Sequence, residues 1–366
     1  MPFDLAANGA ALAALGWGPE LAAALLEARV DPGQVPARVI AVDRGSWLVA
    51  VPGRPDTRAA LAGRARYRAD DAAALPVVGD WVTLAGLDEG EGTARITAVL
   101  PRLTWFARLD PNGAGEQVLA ANLDTVWVVA SLETEPSLRR IERMLAMAWE
   151  GGAQPVVVLN KADLHPDPRA VSAEVEAVAP GVPVVAVSAR TGQGLDALGD
   201  WLGPGRTLAL IGPSGVGKSS LANRLLGVER QATAATRGDG RGRHTTSRRE
   251  LVRLPGGALL IDTPGLRTVL LGLAGDGLEH AFAEVEELAG GCRFADCAHA
   301  GEPGCAVAAA VADGTLDPER LSAWRKLSRE RAGLQSRDDK LAKAVRGRQW
   351  RAIARSMRGL GRDSSH

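Results

Sequence analysis

The chain has 366 residues, 46% of them hydrophobic, and 43 basic residues balance 43 acidic ones. That length exceeds what one hydrophobic core normally serves, so more than one domain is expected. The zero net charge gives no global attraction to nucleic acid, so any such affinity must come from local clusters. No stretch reaches the roughly 18 uninterrupted apolar residues of a membrane span. The first residues carry Asp4 and no basic leader ahead of their apolar part. A soluble, cytoplasmic protein without membrane association is therefore expected.

Residues 1–34 are Ala/Leu-rich with helical spacing, predicting a short helix and a linker and offering no chemistry. From 35 to 103 the texture changes to short β-type runs, "ARVIAVDRGSWLVAVPG", "ARYRA", "VVGDWVTLAG" and "ARITAVLPR", separated by Gly, Asp and Pro turns. About five strands in some 70 residues suit a small barrel of the OB-fold kind. After "LTWFARLDPNGAGEQVLAANL" the pattern alternates: strand "DTVWVVASL", helix "PSLRRIERMLAMAWEG", strand "QPVVVLN", helix "PRAVSAEVEAVA", strand "PVVAVSA", helix "GLDALGDWL", strand "TLALIG" and finally strand "GALLIDTPG". Buried apolar strands alternating with helices predict an α/β domain with a mostly parallel sheet, over 104–272. Residues 273–366 read as mainly helical around a Cys/His cluster and a basic end.

"IGPSGVGKSS" follows an apolar strand and opens the helical "SLANRLLG", the context that the phosphate-loop pattern requires. Gly212, Pro213, Ser214, Gly215, Val216 and Gly217 form the turn whose amides can surround phosphate oxygens, at a helix N-terminus with a favourable dipole. Lys218 would reach the β- and γ-phosphates, the Ser219 hydroxyl would bind Mg²⁺, and Ser220 continues the site. "LLIDTPGL" ends a buried strand in Asp262, placed to hold Mg²⁺ through water, and Gly265 can bring its N–H to the γ-phosphate.

"NKAD" supplies Asn160, Lys161, Ala162 and Asp163. The Asp163 carboxylate can accept from guanine N1–H and its exocyclic amine, and adenine offers neither donor there, so ATP is rejected by several kcal/mol. Asn160 would tie this loop to the phosphate loop, and the stem of Lys161 would cover a face of the base. "VSAR" at 187–190 adds Ser188 to brace Asp163 and the Ala189 N–H to meet guanine O6. The binding partner is GTP or GDP. Most GTPases run phosphate loop first and base reader later, whereas this order is a circular permutation of one site.

All three cysteines, Cys292, Cys297 and Cys305, fall within fourteen residues together with His299. A secreted disulfide framework is normally even-numbered and dispersed, so metal ligation is the better reading. Three thiolates and an imidazole form the ligand set of a closed tetrahedral zinc site with a structural role. From Trp324 to Arg362 thirteen Lys/Arg stand against three acids in helix-favouring sequence. Such a helix is either a solvated face or an RNA-phosphate contact, and Trp350 either stacks on a base or packs in a core.

In the permuted order of these motifs, in "GRHTTS" at 242–247 between the phosphate loop and "DTPG", and in the Cys-x4-Cys-x-His-x5-Cys spacing, the sequence resembles the ribosome small-subunit-dependent GTPase A family. The resemblance covers nearly the whole chain from about residue 35. It implies a multidomain protein: an all-β OB-fold barrel, a circularly permuted α/β GTPase domain and a C-terminal zinc-binding domain. It further implies a GTP hydrolase of late small-subunit (30S) maturation, stimulated by that subunit, touching its 16S rRNA and acting as a monomer. Thr245 or Thr246 completes Mg²⁺ coordination, and the family pattern favours Thr246. Many GTPases place a Gln after D-x-x-G to orient water; Leu266 stands there and cannot hydrogen-bond it. The hypothesis is that His244 enters the site on the ribosome and positions the water; a surface histidine with no catalytic part is the alternative. Two other functions stay open: a GTP-regulated RNA-binding module with slow hydrolysis, and a GTPase of another process whose zinc module docks a protein.

Overall fold

The structure is a computed structural model that describes residues 4–28, 31, 33–43, 45–63, 75–87, 94–109, 116–227, 249–262, 278 and 281–329. The chain divides into two compact units, Met1–Leu271 and Gly272–His366. Among the described residues no helix is long and apolar enough to cross a membrane.

The first unit opens with helices α1 (Gly9–Ala13) and α2 (Pro19–Glu27). Pro19 suits the first turn of α2, where its missing N–H costs nothing, and Glu20 complements the dipole there. Leu12, Leu15 and Leu21 bury against Ala50, Trp81 and Leu100, and Trp17 meets Trp81 edge-on at 4.6 Å. The N-terminal extension is thus the cover of one side of a barrel.

That barrel consists of β1 (Val35–Asp43), β2 (Ser46–Ala50), β3 (Thr57–Leu61), β4 (Trp81–Ala85) and β5 (Ala94–Val99). The strands follow the order β1-β2-β3-β5-β4, and β4 returns to pair with β1, closing an OB-type barrel in which β3 and β5 run parallel. Its interior is Val35, Ala37, Val39, Val49, Val82, Leu84 and Ile96 with their neighbours. The expected strand "ARYRA" lies outside the described residues. The third strand is Thr57–Leu61 instead, whose sequence TRAAL has a single β-branched residue and so carries little strand signal.

A hairpin, β6 (Trp105–Leu109) with β7 (Glu116–Ala121), leads to the second sheet. Its strands are β8 (Thr125–Ser131), β9 (Gln154–Asn160), β10 (Val184–Ala186), β11 (Thr207–Ile211), β12 (Glu250–Arg253) and β13 (Leu259–Asp262), in the order β10-β9-β8-β11-β13-β12. All pairs but the last are parallel. The chain winds outward from β8 through β9 to β10, then returns to β11 on the other side of β8. This reversal creates the crevice at carboxyl strand ends where open α/β sheets bind ligands.

Helices α3 (Leu138–Glu150) and α4 (Pro168–Val178) cover the sheet. Ile141, Met144, Leu145 and Ala148 form one buried stripe of α3 at helical spacing. α4 starts where the Asp167 side chain accepts from the amides of Arg169 and Ala170, followed by Pro168 at its first position. The predicted helix "GLDALGDWL" is a 3-10 helix over Leu195–Trp201, with glycines at 194 and 199 disfavouring a regular α-helix.

The strand β12 was not expected from sequence. It pairs with β13 along four residues, Glu250 opposite Asp262, and on its other edge Glu250 faces Ala41 of β1. The barrel and the α/β sheet thereby form one continuous eleven-stranded sheet. Arg38 reinforces the junction: it is buried, and its guanidinium donates to the carbonyls of Leu15, Gly79 and Asn122. The second unit contains α6 (Ala283–Ala289), α7 (Ala306–Ala312) and a helix described from 318 to 329. Between β11 and β12 lies α5 (Lys218–Leu226).

Candidate nucleotide site and metal centre

β11 is buried along its whole length between β8 and β13, and it ends at the glycine-rich turn that opens α5. Gly212 has φ +146°, and a Cβ there would lie 2.3 Å from the Val129 carbonyl oxygen, so only glycine lets the turn leave the strand this close to β8. Lys218 Nζ donates to the carbonyls of Gly212 (2.7 Å) and Pro213, folding back over the loop it follows. Ser214 and Gly215 are exposed at the tip, and Ser219 and Ser220 are partly exposed in the first turn of α5.

Asn160, at the end of β9, joins this turn to the base-reading segment. It is 1% exposed. Its Nδ2 donates to the Val216 carbonyl at 2.9 Å, and its Oδ1 accepts from the Ala189 amide at 3.0 Å. Gly217, with φ +91°, has to be glycine, because a Cβ would lie 2.3 Å from Asn160 Nδ2. The Ala189 N–H, expected to meet guanine O6, is thus engaged by Asn160; a contact with O6 needs that hydrogen bond shared or exchanged.

Lys161 adopts the left-handed conformation (φ 65°), and Ala162–Leu164 form a single 3-10 turn. This turn presents Asp163 beside Ser188 from the neighbouring strand end. The Ser188 side chain, then Arg190, hold the Asp163 carboxyl below the usual carboxylate range by hydrogen bonding to its ionised form. Ala162 is buried, its amide donating to the Val187 carbonyl at 2.9 Å, which locks the two strand ends together. Lys161 Nζ is ion-paired to Glu133, just past the end of β8.

Two residues of this group were missed in the sequence. Arg190 binds Asp163 and Glu133 binds Lys161. Each stands next to a strand-end motif, and a charge directly after a buried strand is the signal that could have found them. Asp262 ends β13 on the same carboxyl edge. Gly265, Leu266, His244, Thr245, Thr246 and Trp350 lie outside the described residues. Every described nucleotide-motif residue stands at, or just past, the carboxyl end of a strand in this sheet.

In the second unit Cys292, Cys297, His299 and Cys305 bring one ligand atom each to within 4.8 Å of one another. Cys292 Sγ and Cys305 Sγ are 3.9 Å apart, and His299 Nδ1 is 3.5 Å from both. A tetrahedral ion with bonds of about 2.3 Å to sulfur and about 2.0 Å to nitrogen requires edges of about 3.8 Å and about 3.5 Å. The donor set therefore fits one metal ion, with Nδ1 as the imidazole ligand. Burial holds the His299 imidazole below its ordinary pKa, which keeps it in the neutral, ligating form.

The surrounding chain fixes these ligands. His299 takes a left-handed backbone (φ 57°), its carbonyl accepts from the Arg325 guanidinium, and its ring lies 5.0 Å from that of Trp324. The Glu302 carboxylate accepts from the amides of Ala298 (3.2 Å) and Ala300 (2.6 Å), tightening the loop between ligands. Cys305 also caps α7, its sulfur accepting from the Ala308 amide. Such outer contacts orient ligands before metal arrives.

A phosphate loop and a base-reading loop tied together on a parallel sheet, written in permuted order behind an OB-type barrel, define a circularly permuted P-loop GTPase. Residues 99–272 match the RsgA GTPase family. The small ribosomal subunit biogenesis GTPase RsgA of Opitutus terrae is 48% identical over 96% of this chain and 98% of its own length. The protein of the same name from Streptomyces coelicolor is 46% identical over 92% of this chain and 91% of its own. Among solved structures, YjeQ from Thermotoga maritima is 28% identical with a TM-score of 0.63, covering 82% of this chain and 99% of that one. YloQ, described as a circularly permuted GTPase, shares the fold at 23% identity and a TM-score of 0.57, covering 82% of this chain and 96% of its own. The chain belongs to the RsgA GTPase family and is a GTP hydrolase.

Proposed function

We propose that this chain hydrolyses GTP as an assembly factor in late maturation of the small ribosomal subunit, and that the subunit stimulates the hydrolysis. The observation carrying this reading is the Asn160 side chain, which holds the base reader and the phosphate loop in one site despite their permuted order. The names of the relatives support the ribosomal assignment.

In this reading Asp163 accepts from guanine and Ser188 braces it, while the Lys161 stem, which passes 3.9 Å from a Cβ placed on Gly217, lies along the base. Lys218 exchanges the carbonyls of Gly212 and Pro213 for phosphate oxygens, so its charge is already positioned when nucleotide arrives. Ser219, Thr246 and Asp262 would hold Mg²⁺, which would neutralise charge on the phosphates. Gly265 donates its amide to the γ-phosphate. Leu266 cannot orient water, so intrinsic turnover is slow, and His244 takes that part on the ribosome. The metal of the second unit is a structural zinc, since all four ligand positions are protein side chains. The barrel and the basic segment at 324–362 contact 16S rRNA, and the protein works in the cytoplasm as a monomer.

GTP turnover with and without purified small subunits tests the reading. Strong stimulation is expected; nucleotide-dependent binding without stimulation would instead indicate a GTP-regulated RNA binder, and no association would sever the ribosomal assignment. An unchanged stimulated rate in His244→Ala would remove His244 from the mechanism.

A further inference from the structure

Arg190 is outside the base-reading motif, yet its guanidinium touches the atom that motif exists to present. Nε donates to Asp163 Oδ2 at 3.1 Å, and Nη2 donates to the same oxygen. The two partners differ greatly in freedom. The Asp163 side chain is 10% exposed and held in its 3-10 turn beside Ser188, whereas the Arg190 side chain is 73% exposed. Arg190 can therefore swing into solvent about its own stem while Asp163 stays in place.

The chemistry of the two donors is alike. The N1–C2–N2 edge of guanine is itself a guanidine: two N–H groups in one plane, directed at a carboxylate. The arginine fork presents the same pattern with a full positive charge. An oxygen already accepting two N–H groups from arginine has little capacity left for a guanine donor. We propose that Arg190 is an internal competitor of guanine at Asp163, so that nucleotide binding is an exchange of one N–H fork for another. This inference rests on the reading of Asp163 as the guanine acceptor.

The exchange has a definite consequence for the reaction cycle. Guanine gains only the difference between its own hydrogen bonds and those of Arg190, so both GDP and GTP bind more weakly than the site's geometry alone would give. When GDP leaves, Arg190 immediately satisfies the carboxylate, which removes the penalty of an unpaired, mostly covered acid. The site thus releases product readily without an exchange factor. Because the arginine is largely exposed, the competition is modest: a surface pair of this kind corresponds to roughly one-and-a-half- to fivefold in affinity.

The test measures binding and release of a fluorescent GDP analogue by stopped flow on the full-length, metal-loaded protein. Arg190→Ala is expected to bind about one-and-a-half- to fivefold more tightly, chiefly through slower dissociation, and Arg190→Lys, which keeps the charge without the fork, should fall between it and wild type. Unchanged or weaker binding by Arg190→Ala overturns the proposal, the latter by placing Arg190 on the nucleotide. Asp163→Asn separates the two levels of inference. It should lose GDP and gain xanthosine diphosphate, whose 2-carbonyl accepts where guanine's 2-amino group donates; if it binds GDP as wild type does, the base-site reading itself fails. In the Asp163→Asn background, where the ion pair is absent, Arg190→Ala should no longer tighten binding of xanthosine diphosphate; tightening there would also overturn the proposal.

Discussion

Asn160→Ala removes the side chain that bridges the two halves of the nucleotide site. Two buried hydrogen bonds go, one to the Val216 carbonyl and one from the Ala189 amide. Each contributes about 1 kcal/mol net, and an amide left dry costs about 1–3 kcal/mol more, so a loss of about 3 kcal/mol is expected. In a unit of this size that corresponds to a fall of the order of 5–10 °C in its thermal transition. Because Val216 and Gly217 lose the anchor that shapes the phosphate loop, GDP affinity should also fall, by roughly tenfold or more. Asn160→Asp is the informative companion: it keeps an acceptor for Ala189 but sets a carboxylate oxygen against the Val216 carbonyl, so it should bind GDP no better than Asn160→Ala. Calorimetry on the metal-loaded protein and titration with GDP measure both effects. If Asn160→Ala keeps its transition and binds GDP within about twofold of wild type, the two loops are not coupled through this side chain.

Arg102→Ala strips the fully buried Asp80 carboxylate of a bidentate partner whose two contacts are 2.8 Å each. A loss of about 3–5 kcal/mol is expected, as for other broken buried pairs. Burial already pushes the Asp80 carboxyl above its ordinary value, and Arg102 opposes that shift. With Arg102 gone, the folded value rises further above the unfolded one, so the stability this group contributes is greatest at low pH and is lost as pH rises through the folded value. Denaturation at pH 5 and pH 8 should show the larger deficit at pH 8; a deficit independent of pH would contradict the assignment. If the cluster holds the proposed zinc, Cys297→Ser or treatment with a strong chelator should abolish binding of one metal ion, and with it the packing of Trp324 on His299, while the thermal transition of the first unit holds. Metal analysis and near-ultraviolet circular dichroism read this directly, and retained metal with unchanged dichroism would count against the site.

The parts of the fold legible in the sequence are those whose signal is local. Strands β9 and β11 were bounded to within a residue because each is a run of buried apolar residues ended by a motif that cannot continue a strand. α4 was read as "PRAVSAEVEAVA", and the structure shows its start is also set locally, by the Asp167 cap and Pro168 in the first turn. β12 was not legible, since ELVR is only four residues long and its apolar pair Leu251-Val252 does not alternate, so its strand state depends on Glu250 and its neighbours finding β13 on one side and β1 on the other. β3 failed for the same reason: TRAAL becomes a strand because β2 and β5 hold it.

Site chemistry divides along the same line. Sequence alone singled out the candidates to read a guanine, wrap a phosphate or ligate a metal, because residue type and short spacing fix donor, acceptor and backbone freedom over a few positions. The permuted order was also legible, since a parallel sheet collects its loops at one edge whatever the order of its strands. Only the tertiary structure decided what those residues do to one another. It set Asn160 between Val216 and Ala189, gave Asp163 to Arg190 and Lys161 to Glu133, and buried Arg38 where helix, barrel and sheet meet. Such contacts join residues far apart in the chain or on separate strand ends, and their energies depend on distance and burial that no local pattern encodes.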